Sequence, residues 1–221
     1  MTDDDPAFTP GLFSFLRDLR ENNEREWFNA NKARFEAEVK EPALAFVEDF
    51  ELLLDQVSPH FKGKLFRIYR DTRFGRDKTP YKTHTGIHFR HERAEGAHSL
   101  GYYLHLEPDN PFMGVGVWRP EGATLKAIRE AIAARPAKWR EAVAALGEDF
   151  VLEGTALKRP PAGFDATHPQ IDDIKRKDFV AMRRLTEKAV TAPGFLRDFQ
   201  GLCRDASPFM RFLCAAAGEP F

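Results

Sequence analysis

Leu100–Trp118 reads L-G-Y-Y-L-H-L-E-P-D-N-P-F-M-G-V-G-V-W. Leu100, Tyr102, Leu104 and Leu106 recur at every second position, the period of a strand with one buried face. Pro108-Asp109-Asn110-Pro111 is a turn by composition. Phe112–Trp118 then returns, with Met113, Val115 and Val117 facing one way and Gly114, Gly116 and Trp118 the other. The stretch is predicted to be a β-hairpin, and it anchors the fold reading in sheet. Two glycines on one face of a strand call for something that approaches it closely, a helix or a ligand.

Upstream of the hairpin, Thr9-Pro10 is a helix start, with an N-cap followed by proline in the first turn. Leu12, Phe13, Phe15, Leu16 and Leu19 then form an apolar face at helical spacing. Asn22-Asn23 should end this helix, with Asn23 capping the next in register with Glu26. A second helical stretch is predicted over 25–57, kinked or restarted at Pro42. Leu65–Tyr69 and Thr85–Arg90 read as short strands flanking a long charged loop. Beyond the hairpin, helices are predicted to about Ala134 and from Pro136 to Gly147. A small hairpin follows over Phe150–Leu157, then a short helix around Gln170–Lys175 and a last strand over Phe179–Arg184. Pro193–Ala217 is helical with a break at Pro208. Helices, then mostly antiparallel strands, then helices describe one α+β domain over residues 1–221: a helical N-terminal layer, a central sheet and C-terminal helices.

Composition narrows the class. The chain has 221 residues with 43% hydrophobic and 30% charged, a globular balance, and its 20 phenylalanines predict an aromatic core. No stretch approaches the roughly 20 apolar residues of a membrane span. The acidic start Met1-Thr2-Asp3-Asp4-Asp5 lacks the order of a signal peptide. Cys203 and Cys214, if on one helix, stand about 16 Å apart, too far for a disulfide. A cytoplasmic protein with reduced thiols is expected. The formal net charge of −1 hides an asymmetry: residues 1–56 carry 14 acids and 6 bases, residues 60–93 carry 10 bases and 3 acids. This excludes a globally basic nucleic-acid binder and points to a local positive site.

That site is Arg67–Tyr81, R-I-Y-R-D-T-R-F-G-R-D-K-T-P-Y, followed by Lys82 and His84. Four arginines at spacings of three repel one another unless something anionic answers them. Arg67, Arg70, Arg73, Lys78 and Lys82 are candidates to hold a small phosphate- or carboxylate-bearing ligand, with or without turnover. Asp71 would orient an arginine, Tyr81 would line the site, and His84 or His88 would be its proton-transfer candidate. Trp118 and Arg119, at the hairpin end beside the cleared glycines, are candidates for the same pocket. The structural rival is an ion-pair lattice in which acids of the N-terminal helices neutralise the basic segment. Desolvation makes that an inefficient use of arginine.

Arg67-x-x-Arg70-Asp71-x-Arg73-Phe74, then Asp77-Lys78-x-x-Tyr81-Lys82, resembles the signature of a bacterial protein family of about this length, known only as a domain of unknown function. The Gly101-Tyr102-Tyr103-Leu104 strand and the Trp118-Arg119-Pro120 turn extend the resemblance over nearly the whole chain. It implies no established substrate, cofactor or catalytic residue. Other chemistries find weaker support. His84 and His88, about 13 Å apart on one strand, cannot share an ion, and His91, His98 and His105 lack partners at ligand spacing, so no metal and no cofactor is expected. No G-x-S-x-G or Gly-rich phosphate loop is present. Tyr69, Phe74, Tyr81 and Trp118 interleave with the bases as base stacking would require. The alternative is therefore a non-enzymatic module for nucleic acid or an acidic protein partner.

Overall fold

The structure, a computed structural model, describes residues 5–73, 76–93 and 99–221; Phe74, Gly75 and His98 lie outside the described residues. Its centre is a six-stranded antiparallel sheet of order β1-β2-β3-β4-β6-β5. The strands are β1 (Phe61–Leu65), β2 (Thr85–His91), β3 (Gly101–Leu106), β4 (Phe112–Val117), β5 (Phe150–Glu153) and β6 (Phe179–Arg184). The predicted hairpin is β3–β4, in the register Tyr103↔Gly114. With helices before and after the sheet, the chain is α+β, as its pattern implied.

Helix α1 (Pro10–Glu21) buries Leu12, Phe13, Phe15, Leu16 and Leu19, the stripe its spacing predicted. The second helical stretch is broken into α2 (Arg25–Ala30), α3 (Lys32–Phe35), a π-helical turn (Glu36–Lys40) and α4 (Glu41–Leu54). Pro42 sits in the first turn of α4, directly after the π-helical turn, and the backbone stays helical through Lys40 and Glu41, so the stretch does not stop at the proline. Asn23 does not cap α2, whose N-cap is Glu24. Its amide instead clamps Tyr81: Nδ2 donates to the Tyr81 carbonyl at 3.0 Å, and Tyr81 N donates to Oδ1 at 3.1 Å. A side chain that satisfies both backbone groups of a distant residue has none left for the cap.

Two strand boundaries differ from expectation. The first strand is Phe61–Leu65 and not Leu65–Tyr69; Tyr69 makes only an isolated bridge to Tyr81. Gly63 interrupts the apolar alternation of β1 because α4 lies against it: a Cβ there would meet Val47 Cγ1 at 2.7 Å. Glu51 of α4 also accepts a hydrogen bond from Gly63 N at 2.5 Å. Phe150–Leu157 is not a hairpin, since Phe150–Glu153 pairs with β6 as an edge strand that ends at Gly154, where φ is +105°.

After α5 (Gly122–Ala134), α6 (Pro136–Ala144), α7 (Ile171–Ile174) and α8 (Glu187–Val190), the chain closes with α9 (Phe195–Asp205) and α10 (Ser207–Ala217). Cys203 and Cys214 therefore occupy different helices, both buried as free thiols. One sheet face carries Phe89, Tyr102, Leu104, Met113, Val115 and Phe179, all essentially inaccessible. Phe61 of β1 lies on the same face, 5.2 Å from Tyr102, and against the face pack Phe50, 4.8 Å edge-on from Phe89, and Trp139, 5.9 Å from Phe179. Each such ring contributes roughly 1.5–3 kcal/mol on leaving water, which makes this the stabilising face of the sheet.

Candidate functional site

The other face of the sheet is where the outward-pointing residues of β2, β3, β4 and β6 meet. They line a trough of about 400 Å³ walled by Phe66, Tyr103, Phe112, Trp118, Val180 and Met182, with His88, Ser99, Gly101, Gly114 and Gly116 also on its surface. This volume lies in the range of small-molecule pockets. The glycine pair that demanded a close neighbour divides in meaning. Gly116 has φ +122°, and a Cβ on it would lie 2.0 Å from the Phe179 carbonyl oxygen, so its close neighbour is the backbone of β6. A Cβ on Gly114 would meet Tyr103 and Val180 no closer than 3.7 Å, so this glycine simply leaves the floor low. Gly101 makes room for His88, whose Nε2 would be 2.6 Å from an added Cβ.

His88 is buried, and burial, followed by the nearby Arg90 charge, pushes its pKa down to about 4, so the trough presents a neutral imidazole. Burial also raises the Tyr103 phenol, which stays protonated. Trp118, 42% exposed, stands at the trough. Arg119 beside it is held in a left-handed turn, φ +50°. The buried carboxylate of Asp178 fixes that turn by accepting from Arg119 N at 2.9 Å, while its other oxygen accepts from Thr155 N and Oγ1 at 2.9 and 3.1 Å.

The basic segment is largely answered by its own residues. Arg70 pairs with Asp77 and donates to Thr79 Oγ1 at 2.7 Å; Arg73 pairs with Asp71 at 2.7 Å. Lys78 donates to the Thr72 carbonyl at 2.8 Å. The Arg73 guanidinium holds Asp71 at a pKa of about 2, and hydrogen bonds from Thr79, then Arg70, hold Asp77 at about 2. These are exposed pairs, which fix loop shape more than they stabilise the fold. The acids of the N-terminal helices pair elsewhere, Asp18 and Glu38 with Arg34, and Glu36 with Lys40. Tyr81 leaves the loop surface altogether: it is buried and stacks on Phe28 at 4.1 Å.

One residue of the segment reaches a wall of the trough. Lys82 extends its ammonium over Phe66, 5.6 Å from the ring centroid, and donates to the Arg67 carbonyl at 3.0 Å. Burial, with a smaller push from Arg67, lowers its pKa. Arg67 follows Phe66 in the chain and is exposed; Arg119 follows Trp118 and is exposed. The Arg67 charge reaches the Asp71 carboxylate and helps to lower its pKa. On the α2 side, a separate recess of about 300 Å³ is lined by Arg25, Asn29, Tyr69, Arg70, Thr72, Pro80 and Tyr81.

The sequence pattern led to no expected metal, because His84 and His105 lacked partners at ligand spacing, but the fold brings both together with Glu107. The ligating atoms of His84, His105 and Glu107 all lie within 4.8 Å of one another. His105 stacks on Phe112 at 4.4 Å, meets Tyr103 Oη through Nδ1 at 3.0 Å and approaches Glu107 Oε2 through Nε2 at 3.3 Å. Glu107 Oε2 also accepts from Asn110 Nδ2 at 2.9 Å. Burial, then His105, brings His84 down to about 4, and burial lowers His105 too. For Glu107, hydrogen bonds from Asn110 and His105 outweigh burial and keep its pKa low. A signal for the pair was present: His105 and Glu107 share one side of the chain at a spacing of two. The third member comes from β2–β3 pairing, since Thr85 opposes Leu106.

Among the described residues, no helix is long and apolar enough to cross a membrane. No match was found among curated proteins. The model of the conserved hypothetical protein family DUF2461 matches residues 11–212, a span that includes the helical layer, the whole sheet and every residue of the trough. The chain belongs to the DUF2461 family.

Proposed function

We propose that the protein binds a small amphipathic anion, its apolar body in the trough and its phosphate or carboxylate toward Lys82 and Arg67 at the Phe66 end. The observation that carries this reading is the trough itself: aromatic and aliphatic walls around about 400 Å³, with the Lys82 ammonium over one wall, Phe66, and the Arg67 charge close to it. Arg70, Asp71, Arg73 and Lys78 serve in this reading as the frame of the loop, because their charges already have partners. Neutral His88 and Tyr103 supply the polar contacts inside the trough that give such pockets their orientation and specificity. Turnover would make His88 the proton-transfer candidate, since an imidazole on the trough surface can take a proton from a bound ligand.

A thermal-shift series with octanoate, octanol and inorganic phosphate, run in EDTA, tests this. Octanoate should raise Tm, octanol and phosphate much less. Lys82→Ala and Gly114→Leu, which remove the cation and fill the floor, should each abolish the octanoate shift without changing the Tm of the free protein by more than a few degrees. An octanoate response equal to that of octanol, or unaltered in both variants, would refute the reading. A second reading, single-stranded nucleic acid, is favoured by one observation: Tyr69 is 53% exposed between Arg67 and Arg70. Salt-dependent binding of an oligonucleotide, lost in Tyr69→Ala, is its test.

A further inference from the structure

We propose that His84, His105 and Glu107 form a binding site for a divalent transition-metal ion of the zinc class at the end of the trough. Two imidazoles and one carboxylate are a donor set that zinc and its first-row neighbours accept, and three protein ligands leave at least one coordination position open. The geometry is near closure. His105 Nε2 and Glu107 Oε2 are already 3.3 Å apart, and metal–donor bonds of about 2.0–2.1 Å place adjacent donors roughly 3.3 Å apart. His84 lies with its ring 4.4 Å from that of His105. One ligating atom of each of the three residues lies within 4.8 Å of the other two.

The surroundings are those a metal site needs. Ligating histidines are fixed by a partner on the second ring nitrogen, and ligating carboxylates are themselves hydrogen-bonded. His105 Nδ1 meets Tyr103 Oη at 3.0 Å, so when Nε2 ligates, Nδ1–H donates to the phenol oxygen. Asn110 Nδ2 steadies Glu107. Phe112 stacked on His105 sets the ring plane. Tyr103 and Phe112 are also walls of the trough, which places the cluster next to the ligand cavity. The ion would thus answer the anionic end of a trough ligand, or hold a water there.

The test uses untagged, chelator-treated full-length protein. Titration with ZnCl2 by calorimetry should give one equivalent bound with Kd about 1 μM or tighter, and Co2+ should produce a visible ligand-field spectrum at the same stoichiometry. His84→Ala and Glu107→Gln should each weaken zinc at least about 100-fold. Tyr103→Phe, which keeps the ring and removes the partner of Nδ1, should weaken it about 10-fold. His60→Ala, altering the separate His60–Glu92 pair, should change nothing. His84 is only half-buried, so its variant remains folded and informative if another does not. One-equivalent binding tighter than about 100 μM that is lost in His84→Ala supports the site. Weaker binding, or binding unchanged in His84→Ala, overturns it. The titration contains no trough ligand and the octanoate series contains no metal, so the two proposals fail separately.

Discussion

Gly114 and Gly116 lie two residues apart on the same side of β4, and replacing each by alanine should have opposite effects. At Gly116 the backbone sits at φ +122°, and an added Cβ would come within 2.0 Å of the Phe179 carbonyl and 3.1 Å of Val180 Cα. Those atoms belong to β6, hydrogen-bonded to β4 in the middle of the sheet, so the strands must part or the chain must twist. An L-residue in this backbone region costs about 1–3 kcal/mol, and forced overpacking costs about 1–3 kcal/mol more. At Gly114 the nearest atoms are 3.7–3.9 Å away, ordinary contact. Alanine there restricts the unfolded chain, worth about 0.4–1 kcal/mol, and places a methyl group against Tyr103, worth up to about 0.8 kcal/mol. Urea denaturation followed by tryptophan fluorescence and circular dichroism should show Gly116→Ala destabilised by about 2–6 kcal/mol. Gly114→Ala should be stabilised by about 1 kcal/mol, or about 2–4 °C in Tm. If the two variants fall within about 1 kcal/mol of each other, the distinction between a packing glycine and a floor glycine is wrong.

Three further outcomes follow from buried or clamped groups. His88 protonates near 6.5 when unfolded and at about 4 when folded, so folding stability is complete above about pH 6.5 and falls as pH drops toward 4, by about 3 kcal/mol for this one group. Urea titrations at pH 7 and pH 4 should therefore show His88→Gln losing about 3 kcal/mol less than wild type, and equal losses would count against a buried neutral imidazole. Asp178→Ala removes three hydrogen bonds to a buried carboxylate; at roughly 1.5–3 kcal/mol for a charged bond, partly offset by water entering, a loss of about 3 kcal/mol with altered Trp118 fluorescence is expected. Asn23→Ala, which unpairs both backbone groups of Tyr81, should cost about 1–3 kcal/mol in chemical denaturation while leaving α2 helical content unchanged.

The elements whose local pattern agreed with their tertiary role were legible in the chain. The alternation of Leu100–Leu106 and Met113–Val117 is the imprint of one helix-covered face, and the stripe of α1 records the same core from the other side. Where a residue served a distant partner, local reading failed. Asn23 looks like a cap because its clamp on Tyr81 lies 58 residues away. Phe61–Leu65 hides as a strand because its central glycine answers to α4. Trp118, read on one side of the returning strand with Gly114 and Gly116, lines the trough with them, whereas His88, read with the arginines, lies against Gly101. Tyr81, counted with the loop, is core because Phe28 happens to meet it.

By itself the sequence determined the α+β layering, the central hairpin, the positive segment and the expectation of an aromatic core, since these rest on periodicity, composition and charge within short windows. Only the tertiary structure decided what the charge does and where the cavity lies. Arg70 and Arg73 find acids within their own loop, at separations that depend on how it folds back. The trough exists because helices cover one sheet face and four strands bring Phe66, Tyr103, Trp118 and Met182 together on the other. The His84–His105–Glu107 cluster depends on the β2–β3 register. Short-range pattern is fixed by the chain's own stereochemistry, whereas a site assembled across strands is fixed by pairing, which no single window of sequence contains.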